Sequence, residues 1–292
     1  FEKSPMSPEP NWISRSFVSA VLTRMVADED SRVPERILSE LKSNQGIECD
    51  SLLAHADCIR PLFIFLTSNN APINLRIECA DILSRISHIN FSPCLPYYRK
   101  LLLQYLSEIE CIKSPSLIHR EDSAKLLYRI LLWDKSFITP YAEALLENIL
   151  PMIEDNHIFF SESMIKCIGR LVFIKPECIY SRLSQLMNIL QKLIQDQSSA
   201  ARRRAALSTI SIIIRKIDRT KIEEQIFTSL LILTISIVRN ELDHSVRCEA
   251  IRLLGIIGAI DPYLIKGLEK SDKFSFPVDE SIHDFSYVNM SS

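Results

Sequence analysis

Apolar residues in this chain recur on one face of a 3.6-residue helix, and that face itself recurs at a longer interval. In NLRIECADILSRISHIN (74–90), counting from Arg76, positions +3, +4, +7 and +10 hold Cys79, Ala80, Leu83 and Ile86. The same offsets from Arg120 reach Ser123, Ala124, Leu127 and Ile130, and from Arg203 they reach Ala206, Leu207, Ile210 and Ile213. Arg247 leads to Ala250, Ile251, Leu254 and Ile257. Ser161 leads to Met164, Ile165, Ile168 and Leu171, so that copy keeps the stripe and loses the arginine. Arg32 starts the weakest copy: Leu38 and Leu41 are apolar, but Ser39 and Lys42 stand at +7 and +10.

The reference positions 32, 76, 120, 161, 203 and 247 are 44, 44, 41, 42 and 44 residues apart. A period of about 40 to 47 residues marks HEAT or armadillo helix pairs, whereas tetratricopeptide and ankyrin arrays run near 33 or 34. The second helix of each unit is expected about twenty residues on, at 96–106, 140–149, 177–194 and 221–238. Pro93, Pro96, Pro140, Pro176 and Pro262 stand at or near helix starts, where a missing N–H costs least. Asn90, Asp134 and Asp261 each lie fourteen residues after a reference arginine, in the turn between paired helices. No period-two strand with hairpin chemistry is present. The expected fold is therefore an all-α solenoid of about six HEAT/armadillo-type repeats over residues 11–269. The flank 1–10, with Ser4-Pro5 and Ser7-Pro8, reads as disordered, and 270–292 as a loop leaving the array.

Composition narrows the chemistry. The chain has five glycines in 292 residues, where roughly 7 % is average. Neither G-x-G-x-x-G nor G-x-x-x-x-G-K-[ST] can be written from Gly46, Gly169, Gly255, Gly258 and Gly267, so glycine-rich phosphate loops are excluded. A net charge of −2 and 24 % charged residues exclude an acidic tail or a histone-like base load. The eight cysteines contain no C-x-x-C pair and mostly sit inside apolar helical patterns, which points to small hydrophobes in a reducing compartment. The chain opens FEKSPMSPEP, with no methionine, basic stretch or apolar core of a signal peptide, and so reads as a soluble fragment. Its longest apolar run, Phe227 to Val238, spans twelve residues broken by hydroxyls, too short for a membrane span.

No enzymatic constellation emerges. His119-Arg120-Glu121-Asp122 has an inserted glutamate relative to the H-R-D of a kinase catalytic loop, and Asp284-Phe285-Ser286 lacks the glycine of D-F-G. The six histidines show no metal spacing, and His244 beside Asp243 reads as a turn residue. Arg202, Arg203, Arg204, Arg215, Lys216, Arg219 and Lys221 form the one local basic cluster; without interleaved aromatics it reads as a solvated helix start paired with acids, so no nucleic-acid partner is expected. Tyr97, Tyr98, Tyr141 and Tyr180 lie at helix starts, where core packing is the default. Catalytic, cofactor and metal residues are none, and the residues that would touch a partner are not assignable.

IRLLGIIGAIDPYLIK (251–266) resembles a segment that ends a repeat helix in the target-of-rapamycin serine/threonine kinases. DSLLAHADCIRPLFIFL (50–66), PYYRKLLLQYLSEIE (96–110) and LIQDQSSAARRRAALSTI (193–210) match the same family in the same order. Ser84, Tyr128 and Ser211 depart from it where glycine is usual in the repeat helix, while Gly169 and Gly255 keep it, as expected of a divergent member. The resemblance implies a parent kinase coupling nutrients and growth factors to growth, with this chain in its N-terminal HEAT solenoid and every catalytic part beyond residue 292. It also implies a cytoplasmic location, or one peripheral on endomembranes, and a solenoid that serves homodimer assembly and docking of a raptor-type adaptor. The alternatives are a stand-alone importin-like solenoid, disfavoured because Trp12 and Trp133 form no ladder, or the solenoid of another PI3-kinase-related kinase. Far-ultraviolet circular dichroism should give an almost wholly helical spectrum, and a substantial sheet signal would sink the fold.

Overall fold

The computed structural model describes residues 15–261, apart from residues 29, 31, 45, 111–116 and 134. The flanks 1–10 and 270–292, Trp12, Asp134 and the Asp284-Phe285-Ser286 look-alike lie outside the described residues. Within them the chain forms α1 (Arg15–Ala27), α2 (Arg32–Ser43), α3 (Ile47–Leu53), α4 (Ala56–Thr67), α5 (Ile73–Ile89), α6 (Leu95–Glu110) and α7 (Leu117–Leu131). There follow α8 (Lys135–Ile138), α9 (Ala142–Ile149), α10 (Ile158–Ile174), α11 (Leu183–Gln195), α12 (Ala200–Lys216), α13 (Glu224–Asn240) and α14 (His244–Ile260). No strand occurs among the described residues.

Helices α2, α5, α7, α10, α12 and α14 carry the reference positions and pack on one another in that order, forming one layer. Helices α1, α4, α6, α9, α11 and α13 form the other. Each reference helix packs against the helix before it, α4 on α5, α6 on α7, α11 on α12 and α13 on α14. The unit therefore reads second-layer helix first. Asn90 and Asp261, expected between paired helices, instead follow α5 and α14 as C-caps and join successive units.

The stripe is buried where predicted. Cys79, Ala80, Leu83 and Ile86 are fully buried, as are Met164, Ile165, Ile168 and Leu171, and Ala206, Leu207, Ile210 and Ile213. The first and last copies depart, for different reasons. In α2 the buried residues are Pro34 and Leu38, whereas Glu35, Arg36, Ser39 and Lys42 are exposed. The helix is present, but its frame begins one residue earlier than Arg32, whose side chain points to water and pairs with Asp30. In α14, Ile251 is 52 % exposed because no further described helix covers the +4 face that the next unit covers elsewhere.

The reference arginines have a structural task. The last carbonyls of an α-helix lack intrahelical donors and carry the negative end of its dipole, so a cation with several N–H groups is well placed there. Arg76 Nε donates to the Leu66 carbonyl at the end of α4 (2.9 Å), Arg120 Nε to Ile109 at the end of α6 (2.9 Å), and Arg203 Nε to Ile194 at the end of α11 (2.8 Å). Two of these also reach the following unit: Arg120 Nη1 pairs with Asp155 beyond α9 (2.8 Å), and Arg203 pairs with Glu241 beyond α13. At the copy without arginine, Ser161 Oγ donates to the Ile153 carbonyl (2.5 Å), so a hydroxyl performs the same closure over a shorter reach.

Helix starts follow local chemistry. Ser199 and Asp243 accept from the third N–H of α12 and α14. Pro140 and Pro176 fall in 3-10 turns (139–141 and 176–182) that precede α9 and α11, so the helix expected from 177 begins at Leu183. Pro61 departs from the helix-start rule and sits buried inside α4.

Arg203 and Glu241 are 4 % and 10 % exposed at the side chain, and removing one partner of such a pair strands the other, so Arg203→Met should cost about 3–5 kcal/mol in chemical denaturation. Arg32→Ala, at an exposed side chain, should leave the denaturation midpoint unchanged. Because the Arg203 guanidinium holds the Glu241 carboxyl below its usual range, the stability gap between wild type and Glu241→Gln should be full above pH ~5 and close as pH falls through the folded value. The two glycines at +8 differ in their surroundings. A Cβ on Gly169 would sit 2.9 Å from Thr209 Oγ1, and one on Gly255 meets nothing within 4 Å. Gly169→Ala should therefore cost about 1–3 kcal/mol, and Gly255→Ala should gain up to about 1 kcal/mol from helix propensity; equal effects in thermal melts would refute the packing.

Candidate partner-binding face

The residues that mimic catalytic motifs are committed to structure. His119, Arg120, Glu121 and Asp122 lie within α7; His119 Nε2 stands 3.7 Å from Glu108, Arg120 closes α6 as described, and Asp122 meets Lys125 one turn on (3.6 Å). No group of three or more His, Cys, Asp or Glu side chains could hold a metal among the described residues. Burial pushes the Cys79 and Cys167 thiols far above titration and those of Cys94 and Cys178 up to about 12 and about 11, so these cysteines are inert packing groups. Cys248 lies 3.6 Å from both ring nitrogens of His244, one turn away on an exposed surface. Among the described residues no helix is long and apolar enough to cross a membrane.

The tyrosines divide by burial. Tyr98 is buried against Trp133 and Phe91, and Tyr97 stacks on Phe63 with centroids 4.5 Å apart, so both serve the core as the sequence suggests. Tyr141 is half-buried against the core. Tyr180 is 44 % exposed with Lys221 over its ring. A cleft of about 660 Å³ runs along α1, α2 and α3 and is lined by Phe17, Val18, Val21 and Ile37. Its walls are mainly apolar, with Arg36, Glu40, Asn44 and Cys49 also among the lining residues.

The basic cluster of 202–221 does not exist as one surface. Arg202 is buried and paired with Asp196, Arg203 is buried and paired with Glu241, and Arg219 pairs with Glu224. For these three the pairing with neighbouring acids holds. Arg204, Arg215 and Lys216 face outward from α12 and have no carboxylate within ion-pair distance among the described residues.

Folding gives this outward set a partner from the previous unit. A cleft of about 400 Å³ between α10 and α12 is lined by Lys166, Arg170 and Phe173 from one helix and by Arg204 and Ile212 from the other. Its floor is Gly169, where the missing side chain lets α12 approach. Lys216 Nζ and the Arg170 guanidinium lie 4.5 and 5.2 Å from the Phe173 ring centroid, within cation–π range. Arg170 also donates to the carbonyls of Leu131 (2.8 Å) and Leu132 (3.4 Å) at the end of α7. Burial without a carboxylate lowers its pKa from the ordinary guanidinium value.

Sequence reasoning missed Arg170. It stands at +9 of its unit, as Arg85 and Arg129 do in theirs, and these two also reach back along the layer, to the Leu41 carbonyl with Asp50 and to Asp81. The signal was a second arginine register, nine residues after the first.

Two family models match the chain: the serine/threonine-protein kinase mTOR domain over residues 225–291, and GCN1-like C-terminal HEAT repeats over residues 123–253. Serine/threonine-protein kinase TOR2 of Saccharomyces cerevisiae is 27 % identical over 264 residues, 90 % of this chain and 10 % of that protein. Serine/threonine-protein kinase tor1 of Schizosaccharomyces pombe is 29 % identical over 268 residues, 90 % of this chain and 11 % of its own length. The target of rapamycin homolog of Caenorhabditis elegans is 27 % identical over 85 % of this chain and 9 % of its own length. The chain thus spans about a tenth of the length of the relatives it matches. Among solved structures, a designed armadillo repeat protein aligns with a TM-score of 0.53 at 15 % identity over 82 % of this chain and 99 % of its own. An engineered protein aligns at 0.56 and 16 % over 83 % and 97 %. These two resemble it in fold.

Proposed function

From the premise that this chain resembles the target-of-rapamycin serine/threonine kinases over nine tenths of its length and folds as a helix-pair solenoid, we propose that it is a non-catalytic scaffold segment of such a kinase. The observation that carries this reading is the conjunction of a collinear match with a layered array in which Arg76, Arg120 and Arg203 close helix ends and two of them bridge units. In this proposal the segment lies in an N-terminal HEAT region, with the repeat array running over 11–269 and 270–292 leaving it. Kinase chemistry belongs to another part of a cytoplasmic parent. The segment holds partners at fixed separation, and the partners are a raptor-type adaptor and a second copy of the kinase. Stacked repeats suit that task because each unit is stiffened by its neighbours and presents a long continuous surface.

The test is lysine-directed cross-linking of the parent complex purified from cells, read by mass spectrometry. Lys125, Lys166 or Lys216 on the reference-helix layer should link to the adaptor or to a second copy. A map in which this segment links only to itself, while kinase and adaptor link elsewhere, would overturn the scaffold role.

A further inference from the structure

Cations on the reference-helix layer are, for the most part, matched by acids from a neighbouring unit or turn. Lys42 meets Glu78 (3.2 Å), Arg85 meets Asp50 (2.9 Å), Arg129 meets Asp81 (3.3 Å) and Lys125 meets Asp122 (3.6 Å). At the α10–α12 cleft the matching stops. The acids that face it are already engaged: Glu162 holds Lys166 (2.6 Å), Glu249 holds Arg252 (2.5 Å), and Asp243, near Arg204, accepts from Ser245 and from the start of α14 (2.6 and 3.0 Å). Arg170 and Arg204 line the opening and Lys216 stands over its Phe173 wall, three positive charges without a carboxylate within ion-pair distance among the described residues.

The walls of the opening add a second requirement. Phe173 is 46 % exposed, beneath Arg170 and Lys216, and Ile212 faces it across the cleft. Inorganic phosphate or a bare carboxylate would satisfy the charges and leave the apolar wall wet. A nucleic acid would meet a chain of net charge −2 beyond a patch only two helices wide. An acidic peptide with a hydrophobic side chain matches both features, since the cations steer and orient it while the Phe173 wall excludes water from the contact.

We propose that the α10–α12 cleft docks an acidic segment of a partner protein, with carboxylates on Arg170, Arg204 and Lys216 and an apolar side chain against Phe173. This deepens the scaffold reading and rests on it, naming the chemistry of one docking point. The cleft is assembled from two successive units, so a partner docked there also clamps them together.

The experiment uses the full chain and a fluorescein-labelled twelve-residue peptide of aspartate and glutamate around one phenylalanine, read by fluorescence anisotropy. Binding should saturate and weaken with added salt. It should fall about tenfold in the Arg204→Glu, Lys216→Glu double variant and stay within about twofold in Lys192→Glu, an exposed α11 position in the other layer. Circular dichroism confirms that each variant folds. Replacing the peptide's phenylalanine by serine should weaken binding severalfold. The proposal is overturned by an absence of saturable binding, by equal losses in the two charge variants, or by phosphatidylserine vesicles or RNA displacing the peptide and binding more tightly. A rise in peptide affinity after changing Asp279, Glu280 and Asp284 to lysine would also overturn it, by showing that the chain's own acidic segment fills the cleft. Each of these outcomes leaves the cross-link map of the parent complex intact, so failure here is distinct from failure of the scaffold reading.

Discussion

A guanidinium turned back onto the last carbonyls of the preceding helix is the contact on which this array depends. Burying a helix end strands several acceptors, and each costs on the order of 1–3 kcal/mol if left bare. Arg76, Arg120 and Arg203 close the ends of α4, α6 and α11. Arginine suits the position because its fork is planar and permanently charged, with a donor left over after the carbonyl is satisfied. In Arg120 and Arg203 the spare donors take an acid from the next unit, so one side chain closes its own repeat and sets the spacing to its neighbour.

Ser161 shows that geometry rather than charge is the requirement. The chain before α10 passes through a 3-10 turn at 150–152 and brings the Ile153 carbonyl close, so a short hydroxyl suffices where an arginine would have to coil. This unit also holds Gly169, whose lack of a side chain admits Thr209 of α12, and Thr209 donates to the Ile165 carbonyl at 3.2 Å. Gly169 and Thr209 line the cleft that carries Arg170 and Arg204.

The same closure explains why the candidate site was only half legible. The run of arginines in α12 looks like one basic patch in sequence. In the fold it divides by helix face: Arg202 and Arg203 turn inward to Asp196 and Glu241, and Arg204 turns outward. A 100° step between successive helical residues sends neighbours in sequence to different environments. The outward residue then lines one cleft with Lys166 and Arg170, more than thirty residues earlier, and a juxtaposition across units leaves no local trace.

What the sequence determined by itself was periodic: the helices, their stripe, the spacing near 44 residues and hence a solenoid, because a helix face and a repeat length are both local counts that survive without knowing any contact. The frame slip at α2 arose where the stripe was thin, with only Pro34 and Leu38 buried in that helix. Tertiary structure alone decided which helix pairs with which, that Ser161 does an arginine's work, and that the glycines at 169 and 255 have opposite surroundings despite holding the same place in their units. Those outcomes depend on what the adjacent repeat presents, and a repeat's own residues encode its face but not its neighbour's.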